Sequence, residues 1–299
     1  MTDYRKAYGL PERYFLSLGR MVEKKNLSTL VEAYARFARE SVEKHGAGSS
    51  EQGERMQGAQ GLGRGANLTE NCELNTEHCA PALVFVGSGE LEGALREQAR
   101  RLGLRVVDRT AAGSQLSGAG RQEVNAENYK LNTEHSVENH GGAVFFYGFR
   151  QIEENAVFYA LAEAFVLPSL KEEWGLVVNE AMAAGLPVIV SRTAGCAQDL
   201  LPEATASRSS QLAVGSKQPS VSNANENRLE ESSNGFVFAP ASADALATAL
   251  RHVGESELLR SEMGKRSREI VAKFSCENFA KQAMRAACAT RGGGCESGW

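Results

Sequence analysis

Short, almost wholly apolar runs recur along this chain, and segments with apolar residues at helical spacing stand between them. The runs are "RYFLSLG" (13–19), "ALVFVGSG" (82–89), "AVFFYGF" (143–149), "AFVLPS" (164–169), "LPVIVS" (186–191) and "GFVFAP" (235–240). Runs this short and this apolar lack the in–out alternation of a half-exposed sheet, so they read as strands buried on both faces. After the first run, Asn26 is placed to cap a helix with Leu27, Leu30, Val31, Tyr34 and Phe37 on one side. After the second, Leu91, Leu95 and Ala99 share a face, and Gly103 stands where that helix would stop. Helices are also expected over 155–161, from Leu176 onward, and from Asp244 to Val253. This alternation predicts an α/β fold, a doubly wound Rossmann-like parallel sheet with helices on both faces.

Three stretches break the pattern, at about 43–80, 110–141 and 203–232. They are rich in Gly, Ser, Asn, Gln and Glu and hold too little apolar surface to offset the entropy of ordering. Two carry a near-repeat, "ENCELNTEH" (70–78) and "ENYKLNTEH" (127–135), too short and irregular for a solenoid. They read as long loop insertions, which lengthen surface loops at small cost. Without them about 200 residues remain, the size of one domain. The expected organisation is a linker remnant at 1–12, one domain over 13–290 and a disordered tail at 291–299.

Among the 299 residues the formal net charge is −4, which argues against a nucleic-acid binder working through a basic surface. No apolar run approaches the roughly 20 residues of a membrane span, and the start lacks the apolar core of a secretory signal. A soluble, cytoplasmic chain is expected. The six cysteines are too few for a disulfide scaffold. Cys72, Cys79 and His78 lack the further ligands of a metal site, so no metal and no cofactor are expected.

In open parallel sheets ligands bind beyond the carboxyl ends of the strands, so the loops leaving them are informative. The first, "GRMVEKKN", places Arg20 and Lys25 just after Gly19, cations suited to a diphosphate. The second, "GSGELEG", spaces Gly87, Gly89 and Gly93 one residue too widely for a dinucleotide fingerprint, so a nicotinamide-dependent dehydrogenase is disfavoured. Its glycines still suit a close approach to a ligand or a tight turn. The third, "KEEWGLVVNEAMAAG", exposes the amides of Gly175, Leu176 and Val177 at a helix start, an anion site needing no side chain. Glu172 lies just before that site and Glu180 one turn inside it. Cations for a diphosphate with carboxylates for hydroxyls describe a nucleotide-sugar site.

Together, Gly19-Arg20-x4-Lys25, "LVFVGSGEL", "VFFYGF", "FVLPSLKEEWGLVVNEAMAAGLPVIVS", "GCAQDLL" and "NGFVF" closely resemble the carboxyl-terminal, donor-binding domain of retaining GT-B glycosyltransferases of family GT4. The resemblance implies one half of a GT-B fold and transfer of a hexose-type sugar from a nucleotide-sugar to an acceptor. Glu172-x7-Glu180 matches the family's EX7E motif. By the same resemblance Arg20 and Lys25 match the diphosphate-binding pair, Glu172 the donor-sugar contact, and Glu180 the ribose contact. The amides at Gly175–Val177 match those on the phosphate, and Phe149 and Arg150 follow the strand whose end lies beside the base. Glu172, Arg20 and Lys25 are thus the expected catalytic residues, with no metal. Two departures stand out: Glu173 where many members have Gly, and Asp199 where many have Glu. A separate acceptor-domain chain is the expected partner; the alternative is a non-catalytic nucleotide-sugar-binding module or truncated remnant.

Overall fold

Eight strands join in one sheet in a computed structural model that describes residues 3–47, 80–111, 141–201 and 228–290. They are β1 (Tyr14–Leu18), β2 (Ala82–Val86), β3 (Arg105–Asp108), β4 (Ala143–Phe146), β5 (Ala164–Leu167), β6 (Val188–Ser191), β7 (Leu229–Ser232) and β8 (Gly235–Phe238). Their spatial order is β3-β4-β2-β1-β5-β6-β8-β7, and every pairing is parallel except β7 with β8. From β1 the chain fills the sheet toward one edge through β2, β3 and β4, then returns beside β1 with β5 and fills the other. The order therefore reverses between β1 and β5, and a crevice opens at such a reversal beyond the strand ends.

Both faces are covered. On one lie α2 (Leu27–Ala47), α3 (Glu92–Arg101) and α7 (Ala243–Glu255); on the other lie α1 (Tyr4–Tyr8), α4 (Ile152–Leu161), α5 (Leu176–Ala184) and α6 (Ala197–Leu200). Alternate residues of a strand feed opposite cores: Phe15 packs with Leu30, Phe37 and Leu250, while Tyr14 and Leu16 pack with Phe158, Val178 and Met182. Burying each such side chain contributes about 1.5–3 kcal/mol, so strands sealed on both faces are largely apolar, with Ser17 of β1 and Ser191 of β6 buried as polar exceptions. The helix α8 (Glu257–Val271) closes the domain, and α9 (Cys276–Thr290) follows as an amphipathic last helix. Its Phe279 and Met284 are exposed.

Several expectations need correction. The segment 1–12 is more than a linker, because it holds α1 and its Tyr8 and Leu10 are buried in the core. Residues 43–47 belong to α2, and β7 lies inside the stretch 203–232 read as an insertion. Both β3 and β7 escaped sequence reading because edge strands face solvent along one side and carry charges that a central strand excludes. Residues 48–79, 112–140, 202–227 and 291–299, with the near-repeats, Cys72, Cys79, His78 and the tail, lie outside the described residues. Among the described residues no helix is long and apolar enough to cross a membrane.

Candidate functional site

The reversal between β1 and β5 brings together two loops that are far apart in the chain. Beyond β1, Gly19 turns the backbone and a 3-10 turn at Glu23–Lys25 leads into Asn26, whose left-handed φ of 53° redirects the chain into α2. The Oδ1 of Asn26 accepts from the Thr29 hydroxyl at 2.8 Å, and its Nδ2 donates to the carbonyls of Pro168 (3.2 Å) and Pro240 (2.8 Å). The Leu170 amide donates to the Lys24 carbonyl at 2.8 Å. So the residue expected to cap α2 accepts from the Thr29 hydroxyl rather than from a first-turn amide, and it braces the β1 loop against the loops after β5 and β8.

That bracing places Lys25 against Glu172. Their side chains form an ion pair through Glu172 Oε2 and are only 15% and 16% exposed. The same oxygen accepts from Ser169 Oγ at 3.3 Å, and the Ser169 carbonyl accepts from Thr193 Oγ1 at 2.9 Å. Beside the pair is a shallow hollow, open to solvent and bounded by Ser17, Gly19, Arg20, Lys25, Phe85 and Leu167. Arg20 is exposed at its rim. The structure therefore gathers Gly19, Arg20 and Lys25 around one hollow and brings Glu172 to Lys25. Ser169 and Thr193 went unnoticed in the sequence, where nothing distinguishes them from other loop hydroxyls.

For the glycines of the second loop, expected at a close approach to a ligand or at a tight turn, the structure shows close backbone packing at Gly87 and Gly89. A Cβ on Gly87 would lie 2.0 Å from the Gly19 carbonyl oxygen, and one on Gly89 would lie 2.4 Å from that of Met21. The Met21 amide donates to the Ser88 carbonyl at 3.0 Å. Here the bare backbone of β2's loop meets the β1 loop.

The opening stretch of the third loop is held as a strand would be. Glu172 bridges Ala194 in parallel, the Gly195 amide donates to the Glu172 carbonyl (2.9 Å), and the Cys196 amide donates to that of Trp174 (3.2 Å). The expected start of α5 at Leu176 is observed, behind Gly175 at φ 97°, and no side chain caps it. The first-turn amides of such a helix have no acceptor within it and form a positive end. Leu176 is exposed and Val177 partly so. The Trp174 indole packs on Phe274 and donates to Asn179 at 2.9 Å, which fixes the loop. Glu173, the departure noted in the sequence, is exposed.

Glu180 has separate company from Glu172. It is exposed on α5, and its Oε2 accepts from the Tyr159 hydroxyl at 2.9 Å. At the end of β4, Phe149 is 67% exposed. Arg150 is buried and donates to the carbonyls of Arg109 (2.9 Å) and Thr110 (3.3 Å), so it braces the end of β3. Asp199 is exposed in α6. Cys196 is a buried filler, its thiol pushed up to about 12 by burial and then by the charges of Glu172 and Asp199. Among the described residues no group of three His, Cys, Asp or Glu side chains could hold a metal ion.

A doubly wound sheet with a cationic loop and an uncapped helix end at its reversal point defines a class, the α/β domains arranged to hold an anionic ligand beyond the strand ends. The family model described as "Glycosyl transferases group 1" matches residues 80–256, more than half of the chain, and the chain belongs to that family. Glu172 and Glu180 lie within the matched residues; Arg20 and Lys25 precede them. The sulfoquinovosyl transferase SQD2 of Arabidopsis thaliana is 32% identical over 134 residues, 45% of this chain and 21% of that protein. An uncharacterized glycosyltransferase of Methanocaldococcus jannaschii is 33% identical over 93 residues, 30% of this chain and 22% of that one. The matched region thus spans about a fifth of these relatives' length. Among solved structures, Anabaena HepE in complex with UDP-glucose aligns with a TM-score of 0.51 at 16% identity, over 96% of this chain and 51% of that one. Staphylococcus aureus TarM aligns with a TM-score of 0.50 at 15% identity, over 92% and 36%. These likenesses bear out the expected fold, a doubly wound half of the GT-B kind.

Proposed function

We propose that this domain binds a nucleotide-diphosphate sugar and supplies the donor half of a retaining transfer, carrying a hexose-type sugar to an acceptor held by another domain or chain. The observation that carries the reading is the Lys25–Glu172 pair beside Arg20, formed across the sheet's reversal point. In this reading Arg20, Lys25 and the amides at the start of α5 neutralise the diphosphate as it leaves, without a metal ion. Such fixed donors cost no reorganisation at the moment charge develops. Glu172 lies beside the donor sugar, Glu180 takes the ribose hydroxyls and Phe149 lies beside the base. The attacking hydroxyl approaches from the face the diphosphate leaves, so the new bond to the anomeric carbon keeps its configuration. The solved HepE complexes with UDP and UDP-glucose support the ligand class.

Calorimetric titration of the chain with UDP, GDP and ADP, then with their hexose conjugates, tests this reading. One nucleotide is expected to bind, and Arg20→Ala or Lys25→Ala is expected to weaken it at least tenfold, about 1.4 kcal/mol. Affinity unchanged in both variants would remove these cations from the site. Binding of none of the nucleotides would leave a non-catalytic remnant as the better description.

A further inference from the structure

An exposed glutamate on a helix usually samples several rotamers, and fixing it costs side-chain entropy. Glu180 is exposed, yet one of its oxygens is held from a neighbouring element, since Tyr159 of α4 donates its hydroxyl to Oε2 at 2.9 Å. The Tyr159 ring is buried against Phe165, with centroids 5.8 Å apart, so the donor cannot swing away. Burial, and then the charge of Glu180, raise the Tyr159 hydroxyl above its ordinary range and keep it protonated as a donor. Among the described residues Glu180 has no ion pair, in contrast with Glu172. A neutral donor fixes the carboxylate without cancelling its charge. Each carboxylate oxygen accepts two hydrogen bonds, so Oε1 and the second lone pair of Oε2 stay open to a ligand.

We propose that Tyr159 is a positioning residue, which holds Glu180 Oε2 so that the carboxylate is presented ready-oriented to the vicinal hydroxyls of the nucleotide's ribose. This rests on the nucleotide-sugar reading above and adds to it a residue outside the family's motif. Preorganisation of this kind raises affinity by removing an ordering cost that binding would otherwise carry.

Tyr159→Phe keeps the buried ring and deletes only the donor. UDP (or whichever of GDP and ADP the chain prefers) and its 2′-deoxy counterpart would be titrated calorimetrically into the unsubstituted protein, Tyr159→Phe, Glu180→Ala and the double variant. The expected result is a three- to tenfold loss of ribonucleotide affinity in Tyr159→Phe, a smaller loss for the deoxynucleotide, and no further loss when Tyr159→Phe is added to Glu180→Ala. Equal losses for both nucleotides, or a loss that persists on the Glu180→Ala background, would mean that Tyr159 acts on the fold and would overturn the proposal. Arg20→Ala separates the two levels of inference. If it weakens binding while Tyr159→Phe does not, the positioning role falls and the nucleotide-sugar reading stands. If the unsubstituted protein binds no nucleotide, both fall together.

Discussion

The two glutamates of the third loop are eight residues apart, yet the fold treats them in opposite ways. Glu172 sits on a strand-like segment, mostly buried, with its charge answered by Lys25 from another loop. Glu180 sits on α5, exposed, with its charge unanswered and one oxygen held by a tyrosine. A mostly buried charge needs a partner because desolvation is expensive, whereas an exposed one keeps its water and needs only orientation. Glu172 is therefore braced within the fold, and Glu180, on the proposed reading, is what the site offers a ligand. A diphosphate that engages Lys25 must also share that cation with Glu172.

The strongest way to break this comparison is to dislodge the Glu172 segment alone. A Cβ on Gly195 would lie 2.0 Å from the Glu173 carbonyl oxygen, and the atoms it would meet are backbone, which has little room to yield. Gly195→Ala is expected to cost about 2–3 kcal/mol in urea denaturation, as overpacking does, and to weaken nucleotide binding. An unchanged denaturation midpoint would show that the segment is not clamped as described.

Next in size is the loss of the cation. Lys25→Ala leaves the Glu172 carboxylate mostly buried without its counter-charge, at a cost of about 1–2 kcal/mol after allowance for its partial exposure. Adding Glu172→Gln should recover at least half of that loss. Glu180→Ala should stay within about 0.5 kcal/mol of the unsubstituted protein, as exposed substitutions do. Denaturation of the four proteins side by side checks the set, and a large cost at Glu180 would erase the distinction.

The smallest effect is a rate rather than a stability. Cys196 lies under the Glu172 segment with its thiol pushed up to about 12, while Cys276 is exposed. A raised thiol value means less thiolate. At pH 8 the reactive fraction is lower than that of an ordinary thiol by about a thousandfold, and burial slows it further. Alkylation followed by peptide mapping should label Cys276 quickly and Cys196 only under conditions that open the loop. Early labelling of Cys196 would indicate that the segment opens on its own.

Much of this was legible in the chain because strands sealed on both faces and helices sealed on one impose apolar periods of their own. Leu30, Val31, Tyr34 and Phe37 on α2, and Leu95 and Ala99 on α3, are buried as their spacing requires. The polar edges were not legible. Nothing in "LEES" (229–232) separates an edge strand from a loop, since its pairing with β8 is supplied by backbone that any sequence carries. Arg20, Lys25, Glu172 and Glu180 were named by their motif, but not the partners that hold them. Tyr159 lies 21 residues before Glu180 on another helix, with no spacing signal to link the two.

By itself, then, the sequence determined a parallel α/β sheet, its family and the loops that matter, because burial demands and backbone turns act over a few residues at a time. The tertiary structure decided which charges meet. Lys25 and Glu172 are separated by 147 positions and become neighbours only because the strand order reverses between β1 and β5. That reversal is a property of the assembled sheet, and no local stretch of chain contains it.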